Sequence, residues 1–165
     1  MMRKIVKRCE KLSFFGVVGD DNTVTYHRMK GFNEIAVSKN PKEYTRQYVD
    51  EEFEQSDVVG YSPSIAFSFD QFADDAVHCD LADIAERELV GDGAIRSVIV
   101  VDLSREGDSE GSHPAVKRDF CVVCQNEGNS MDAYTYSGSL RVKSEKVFGT
   151  ATSGDDWQTC QFLEA

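Results

Sequence analysis

Cys121 and Cys124, separated by two valines, make a C-x-x-C, the spacing most often used for zinc ligation or thiol redox exchange. A zinc site needs about four ligands, and the chain holds neither a second C-x-x-C nor a His-x-x-x-His pair. A redox pair normally sits at a helix start, where the dipole lowers a thiol pKa. Phe120 to Val123 instead has the composition of a strand, which aims residues three apart at opposite faces. Both thiols therefore read as small buried hydrophobes, with a small Cys-dependent metal-binding or thiol enzyme kept as the chemical alternative. The histidines His27, His78 and His113 fall in a strand, a helix and a loop, and no nucleophile is placed beside any of them. Asp74-Asp75 and Asp155-Asp156 lack the alternating acid spacing of a calcium loop, and no glycine-rich phosphate cradle is present. The expectation is a chain without catalytic residues, cofactor or metal.

The elements that carry these residues have mostly period two. Ile65, Phe67 and Phe69 alternate with Ala66, Ser68 and Asp70, which predicts a half-buried strand, and Thr23–Met29 alternates in the same way. The β-branched run Val98–Val101 within Ala94–Leu103 suits a strand covered on both faces. Further strands are predicted over 116–124, 133–141, 143–150 and 157–163, separated by turn residues such as Glu106-Gly107-Asp108 and Asn126-Glu127-Gly128-Asn129. One segment departs from the rhythm. From about Asp74 to Val90 the apolar residues Val77, Leu81, Ile84, Ala85 and Leu89 recur at helical spacing, with acids crowding the start and Gly91 and Gly93 as stop signals. This predicts a surface helix over a β-core, its polar face anionic.

The segment Ser38–Ser64 is polar, weakly periodic and rich in tyrosine, with Asp50-Glu51-Glu52, Glu54 and Asp57 between Pro41 and Pro63. A structureless insertion of this length is uncommon in a compact domain. Disorder fits poorly with Tyr44, Tyr48, Val49, Phe53, Val58, Val59 and Tyr61, because those groups are costly to leave in water. Apolar and aromatic groups edged by charge suit a protein–protein contact arm, whose candidate contacts are Tyr44, Arg46, Tyr48, Asp50, Glu51, Glu52, Phe53, Glu54 and Tyr61. The alternative is an extended hairpin folded onto its own domain.

Charge bounds the partners. Acids outnumber bases 29 to 18 for a net charge of -11, and since residues 1–11 carry +4, the other 154 sum to -15. Such a body repels phosphate and is not expected to grip DNA or an anionic membrane, though it suits a surface that DNA slides past. Arg8, Glu10 and Lys11 interrupt any signal-peptide core, and no stretch approaches the roughly 20 apolar residues of a membrane span. Five scattered cysteines agree with synthesis in a reducing cytoplasm. At 165 residues a single domain over 1–165 is expected.

Three blocks, residues 23–40 (TVTYHRMKGFNEIAVSKN), 40–70 (NPKEYTRQYVDEEFEQSDVVGYSPSIAFSFD) and 117–162, together resemble the major tail tube proteins of tailed, non-contractile phages and prophages. The resemblance implies a mainly β fold, a β-sandwich or barrel with one flanking helix and a long polar hairpin arm. It implies homohexameric rings that stack into a tube, the arm at about Asn40–Tyr61 reaching the neighbouring ring. It further implies a virion tail location and, as partners, a tape-measure protein in the lumen, tail terminator and baseplate or distal tail proteins at the ends, and DNA in transit without specific binding. The inner tube of a contractile tail, a related secretion-type tube and a monomeric adaptor binding through residues 40–61 are the rival structural readings.

Overall fold

The run Val98–Val101 is the centre of the molecule because it has no polar face to give to water. In the computed structural model, which describes residues 2–165, it lies in β7 (Ile95–Asp102), and Val98, Ile99 and Val101 are buried on alternating sides. Its antiparallel neighbour β1 (Lys11–Val18) matches it: Phe14 sits opposite Ile99 and Phe15 opposite Val98, and both phenylalanines are fully buried. The pair is a wall with one apolar cluster on each side. β1 was not anticipated as a strand, since a strand buried on both faces loses the alternation that marks a half-buried one.

On one side of the wall the sheet closes on itself. β7 pairs with β8 (His113–Glu127), β8 with β10 (Val147–Thr152), β10 with β11 (Thr159–Glu164), β11 with β2 (Val24–Arg28), and β2 with β1. This six-stranded barrel encloses Leu12, Phe14, Ile99, Val101, Ala115, Ala151 and Cys160, with Trp157 and Phe162 packed against them. β8 is long enough to serve two partners along one edge. Its residues 113–117 pair with β10, and from Phe120 onward it pairs with β9 (Thr135–Val142), which continues the sheet through β6 (Ser64–Asp70) to β3 (Phe32–Ser38). At the break between partners, the β9–β10 connection supplies the missing bonds. Lys143 N–H donates to the Asp119 carbonyl at 2.9 Å, Asp119 N–H to Ser144 Oγ at 3.0 Å, and Arg118 Nε to the Ser144 carbonyl at 2.7 Å. The expected β fold with one helix is thus observed, as a barrel with a sheet extension.

Helix α1 (Ala76–Glu86) covers the extension. Val77, Leu81, Ala82 and Ile84 pack onto Phe67, Phe69, Phe120, Val122, Tyr136 and Leu140, with Phe15 and Val98 contributed by the near face of the wall. Asp75 caps its start, Oδ1 accepting from the Val77 and His78 N–H groups. The helix is shorter than the predicted 74–90, and Gly91 is not its stop. Glu88 adopts the left-handed conformation (φ 51°), Leu89 N–H donates back to the Ile84 carbonyl at 3.1 Å, and Glu88 N–H to Ala85. That is a Schellman ending with glutamate where glycine is usual. Gly91–Ala94 then forms a short 3-10 turn into β7.

The weakly periodic segment 38–64 contains the hairpin that the family resemblance implies. β4 (Pro41–Arg46) and β5 (Gln55–Tyr61) pair with each other, with a bulge at Lys42/Glu43, and belong to no larger sheet. Its sequence hid the strands because both faces are wet, so no hydrophobic alternation is imposed on it.

Candidate assembly surface

The hairpin leaves the body as an offset continuation of the β3–β6 pair. Main-sheet pairing ends at Ser38 opposite Ser64 and resumes at Pro41 opposite Tyr61. Asn40 makes the joint. It sits at φ 47°, a conformation that asparagine tolerates, and its Nδ2 donates to the Ser62 carbonyl (3.0 Å) and Ser64 Oγ (3.3 Å). Pro63 accepts from Val142 N–H, which ties the root to β9. The arm is therefore exposed and fixed at its base. It is not folded onto the core.

Along the shaft one cation organises the side chains. Arg46 donates from Nη1 to Asp57 Oδ2 (2.6 Å) and from Nε to Tyr48 Oη (2.7 Å), while its guanidinium lies over the rings of Tyr44 (5.4 Å) and Tyr48 (5.5 Å). Thr45 and Ser56 hydroxyls bond across the strands at 3.0 Å. The tip is closed by Gln47, whose Nε2 donates to the Glu51 and Glu52 carbonyls, by Glu51 N–H on the Tyr48 carbonyl, and by Gln55 on the Glu51 carboxylate. Asp50, Glu52 and Glu54 form no ion pair among the described residues, and Val49 and Phe53 stand in water, Phe53 at 78% of its free exposure.

The structure thus divides the candidate residues. Tyr44, Arg46 and Tyr48 form one stacked group with Asp57, and Asp50, Glu51, Glu52, Phe53 and Glu54 form the tip. Tyr61 belongs to neither. It lines a cleft of about 560 Å3 at the arm's root, together with Lys39, Pro63, Arg118, Glu145 and Lys146. This basic cleft was missed because its cations come from three distant segments, the β3–β4 joint, β8 and the β9–β10 connection. Burial, then the neighbouring Lys39 and Arg118, lower the pKa of Lys146.

Cys121 and Cys124 are both half-buried and both pack against the cluster beneath α1, although the strand period predicts opposite faces. Cys124 shares the parity of Phe120 and Val122, its Sγ 3.9 Å from the Leu81 carbonyl, and burial followed by the Glu127 charge pushes its thiol pKa up. Cys160, inside the barrel, is pushed up to about 12 by burial. His78 is fully buried against Phe69. Its Nδ1 accepts from Phe72 N–H at 3.0 Å and its Nε2 faces the Lys30 carbonyl at 2.6 Å, which fixes a neutral tautomer with the proton on Nε2. His113 Nδ1 donates to the Arg105 carbonyl. Asp155 accepts from Thr159 N–H and Oγ1 and from Ser153 Oγ, contacts that hold its pKa down to about 2. It anchors a turn in which Asp156 and Trp157 both have positive φ (57° and 61°), and so places the Trp157 ring 6.2 Å from Phe14 at the barrel's end. Among the described residues, no three His, Cys, Asp or Glu side chains gather as a metal site would require, and no helix is long and apolar enough to cross a membrane.

The sequence matches no family model and no curated protein. The fold does have solved counterparts. A chain in the tail of an empty GTA particle, reconstructed with C6 symmetry, superposes with a TM-score of 0.60 at 13% identity, over 86% of this chain and 97% of that one. A chain in the six-fold-symmetrised baseplate of the anti-feeding prophage (AFP) gives 0.51 at 8% identity, over 90% and 97%. The chain has the fold of these two particle components.

Proposed function

We propose that this chain is the major tube subunit of a phage-type tail, without enzymatic activity. The observation that carries the reading is the fold likeness to chains from two six-fold particles, spanning 97% of each of them. Six copies would close into a ring and rings would stack into a hollow tube, placing the protein in the tail of the virion after its synthesis in the host bacterium. The lumen would hold a tape-measure protein during assembly and conduct DNA afterwards, with terminator and baseplate proteins at the ends. A net charge of -11 favours passage without adhesion. The arm supports the same reading, since an anchored hairpin that leaves Val49, Phe53 and Tyr61 in water is suited to contact with a neighbouring ring. The absence of enzymatic chemistry is supported by the raised Cys124 and Cys160 pKa values and by a His78 committed at both nitrogens.

We read the tail as non-contractile, following the sequence resemblance. A second reading is the inner tube of a contractile tail or a related secretion-type tube. A sheath gene beside this one would decide for the second.

Negative-stain microscopy of concentrated protein tests the tube itself. Rings or tubes with a central channel are expected, and a chain that stays monomeric and globular counts against the proposal. Deleting about Thr45–Asp57 is expected to leave the fold intact and to prevent stacking. If that deletion unfolds the body, the arm is a structural element and its assembly role is wrong.

A further inference from the structure

The root cleft runs against the charge of the molecule. In a chain whose acids outnumber bases 29 to 18, this concavity gathers Lys39, Arg118 and Lys146 against the single acid Glu145. A second basic concavity, lined by Arg8, Lys11, Arg28 and Lys30, has its cations engaged within the chain, Lys11 by Asp102 and Arg8 by the Lys11 and Ile35 carbonyls. At the root, Arg118 is held in place by its Nε bond to the Ser144 carbonyl, and none of the three root cations forms an ion pair among the described residues. Burial first, and then the neighbouring Lys39 and Arg118 charges, lower the pKa of Lys146. A preformed cationic hollow with an aromatic wall, Tyr61, is complementary to clustered carboxylates beside an apolar group. The arm tip has that composition: Gln47–Glu54 contains Asp50, Glu51, Glu52, Glu54 and Phe53, and no base.

The tip cannot satisfy its own root. Seven residue steps of extended chain separate Asn40 from Gln47, roughly 23 Å at the strand rise. The Asn40 joint and the Arg46 group hold that hairpin open.

We infer that the cleft of Lys39, Arg118 and Lys146 receives the arm tip of a second copy of the chain, the tip carboxylates entering among the three cations and Phe53 lying against Tyr61. Each copy then gives one tip and accepts one, a heterologous contact that propagates around a ring or along a stack. The inference rests on the assembly reading and names the receiving surface for it.

Charge reversal tests it. The root variant carries Lys39→Glu and Lys146→Glu, and the tip variant carries Glu52→Lys and Glu54→Lys, leaving Glu51 in its turn. Far-UV circular dichroism and thermal melts establish that both fold. Sedimentation velocity and light scattering at low and high salt then follow association. Wild-type assembly should weaken with salt, and each variant alone should need at least tenfold more protein to assemble. Mixing the two should restore assembly, because each acidic tip then meets a basic root and each basic tip an acidic root. If both variants assemble as wild type does, the proposed contact is wrong and the tube reading survives. Impairment by the root variant alone would assign the cleft to another anionic partner and would also overturn the contact. A wild-type chain monomeric under every condition would overturn both.

Discussion

β6 and β5 are adjacent seven-residue strands, separated only by Ser62 and Pro63, yet opposite principles hold them in place. β6 alternates buried and half-buried residues, and Ile65, Phe67 and Phe69 reach the core beneath α1. β5 is exposed along nearly its whole length and has only β4 beside it. In β6 the hydrophobic effect fixes register, since a one-residue slip would turn three large side chains into water. In β5 register depends on ladder hydrogen bonds, a bulge and the group around Arg46. Order of the second kind is local and modest in free energy. It suits a surface whose final environment is supplied by another molecule.

The contrast is broken most severely at Phe69. It is fully buried, stacked on His78 at a centroid distance of 4.5 Å and on Tyr136 at 5.5 Å. Phe69→Ala should lower unfolding free energy by about 3–5 kcal/mol in denaturant titrations. Phe53→Ala, an equal truncation at the arm tip, should change it by less than about 0.5 kcal/mol. Comparable losses at the two sites would mean that the arm belongs to the cooperative core.

A smaller effect is expected at Asp102, a polar group that the body does bury. Its carboxylate accepts from Ser104, Lys11 and Arg105, which hold its pKa below the usual carboxylate range. Asp102→Asn should cost on the order of 1–3 kcal/mol at neutral pH, mostly through the weakened bonds to Lys11 and Arg105. Because the folded-state pKa is depressed, the unfolded chain takes up the proton first as pH falls. The stabilisation is therefore complete above the ordinary carboxylate pKa near 4 and is lost progressively below it. The variant should show a shallower acid limb in stability-versus-pH curves.

At Glu88 the expected sign reverses. A glutamate at φ 51° closes the Schellman ending of α1, where the left-handed conformation costs a side-chain-bearing residue on the order of 1 kcal/mol. Glu88→Gly should raise the thermal midpoint, by up to about 1 kcal/mol in stability. No gain would show that the side chain offsets its own strain.

What could be read in the sequence follows the same division. β6, β7 and α1 were legible because burial writes a period into them, of two, of none over a β-branched run, or of 3.6. The arm was legible as a misfit, apolar groups in a polar stretch, although its strands were not. β1 escaped because Phe14 and Phe15 face different cores, and β3 because only its β6 edge is paired and most of its residues are exposed. The histidine at 78 gave no sign that it packs among phenylalanines, since one polar residue in an apolar stripe looks like a surface residue. The root cleft had no signal at all, as nothing in the spacing of Lys39, Arg118 and Lys146 foretells that the fold joins them.

The smallest effect is also the most discriminating. Arg46→Ala removes the ion pair to Asp57, the bond to Tyr48 and both ring contacts, all on a solvated hairpin. Exposed pairs of this kind contribute at most about 1 kcal/mol, so global unfolding should be nearly unchanged. Hydrogen exchange is expected to separate the regions where denaturation does not. Amides of β4 and β5 should exchange faster in the variant while those of β6, β7 and α1 keep their rates, since an arm held by local contacts opens independently of the core. If the arm amides are unaffected, the cross-strand ladder alone sets the hairpin's order. If the core amides accelerate with them, the arm and body unfold as one unit, and the arm's independence as a docking element is lost.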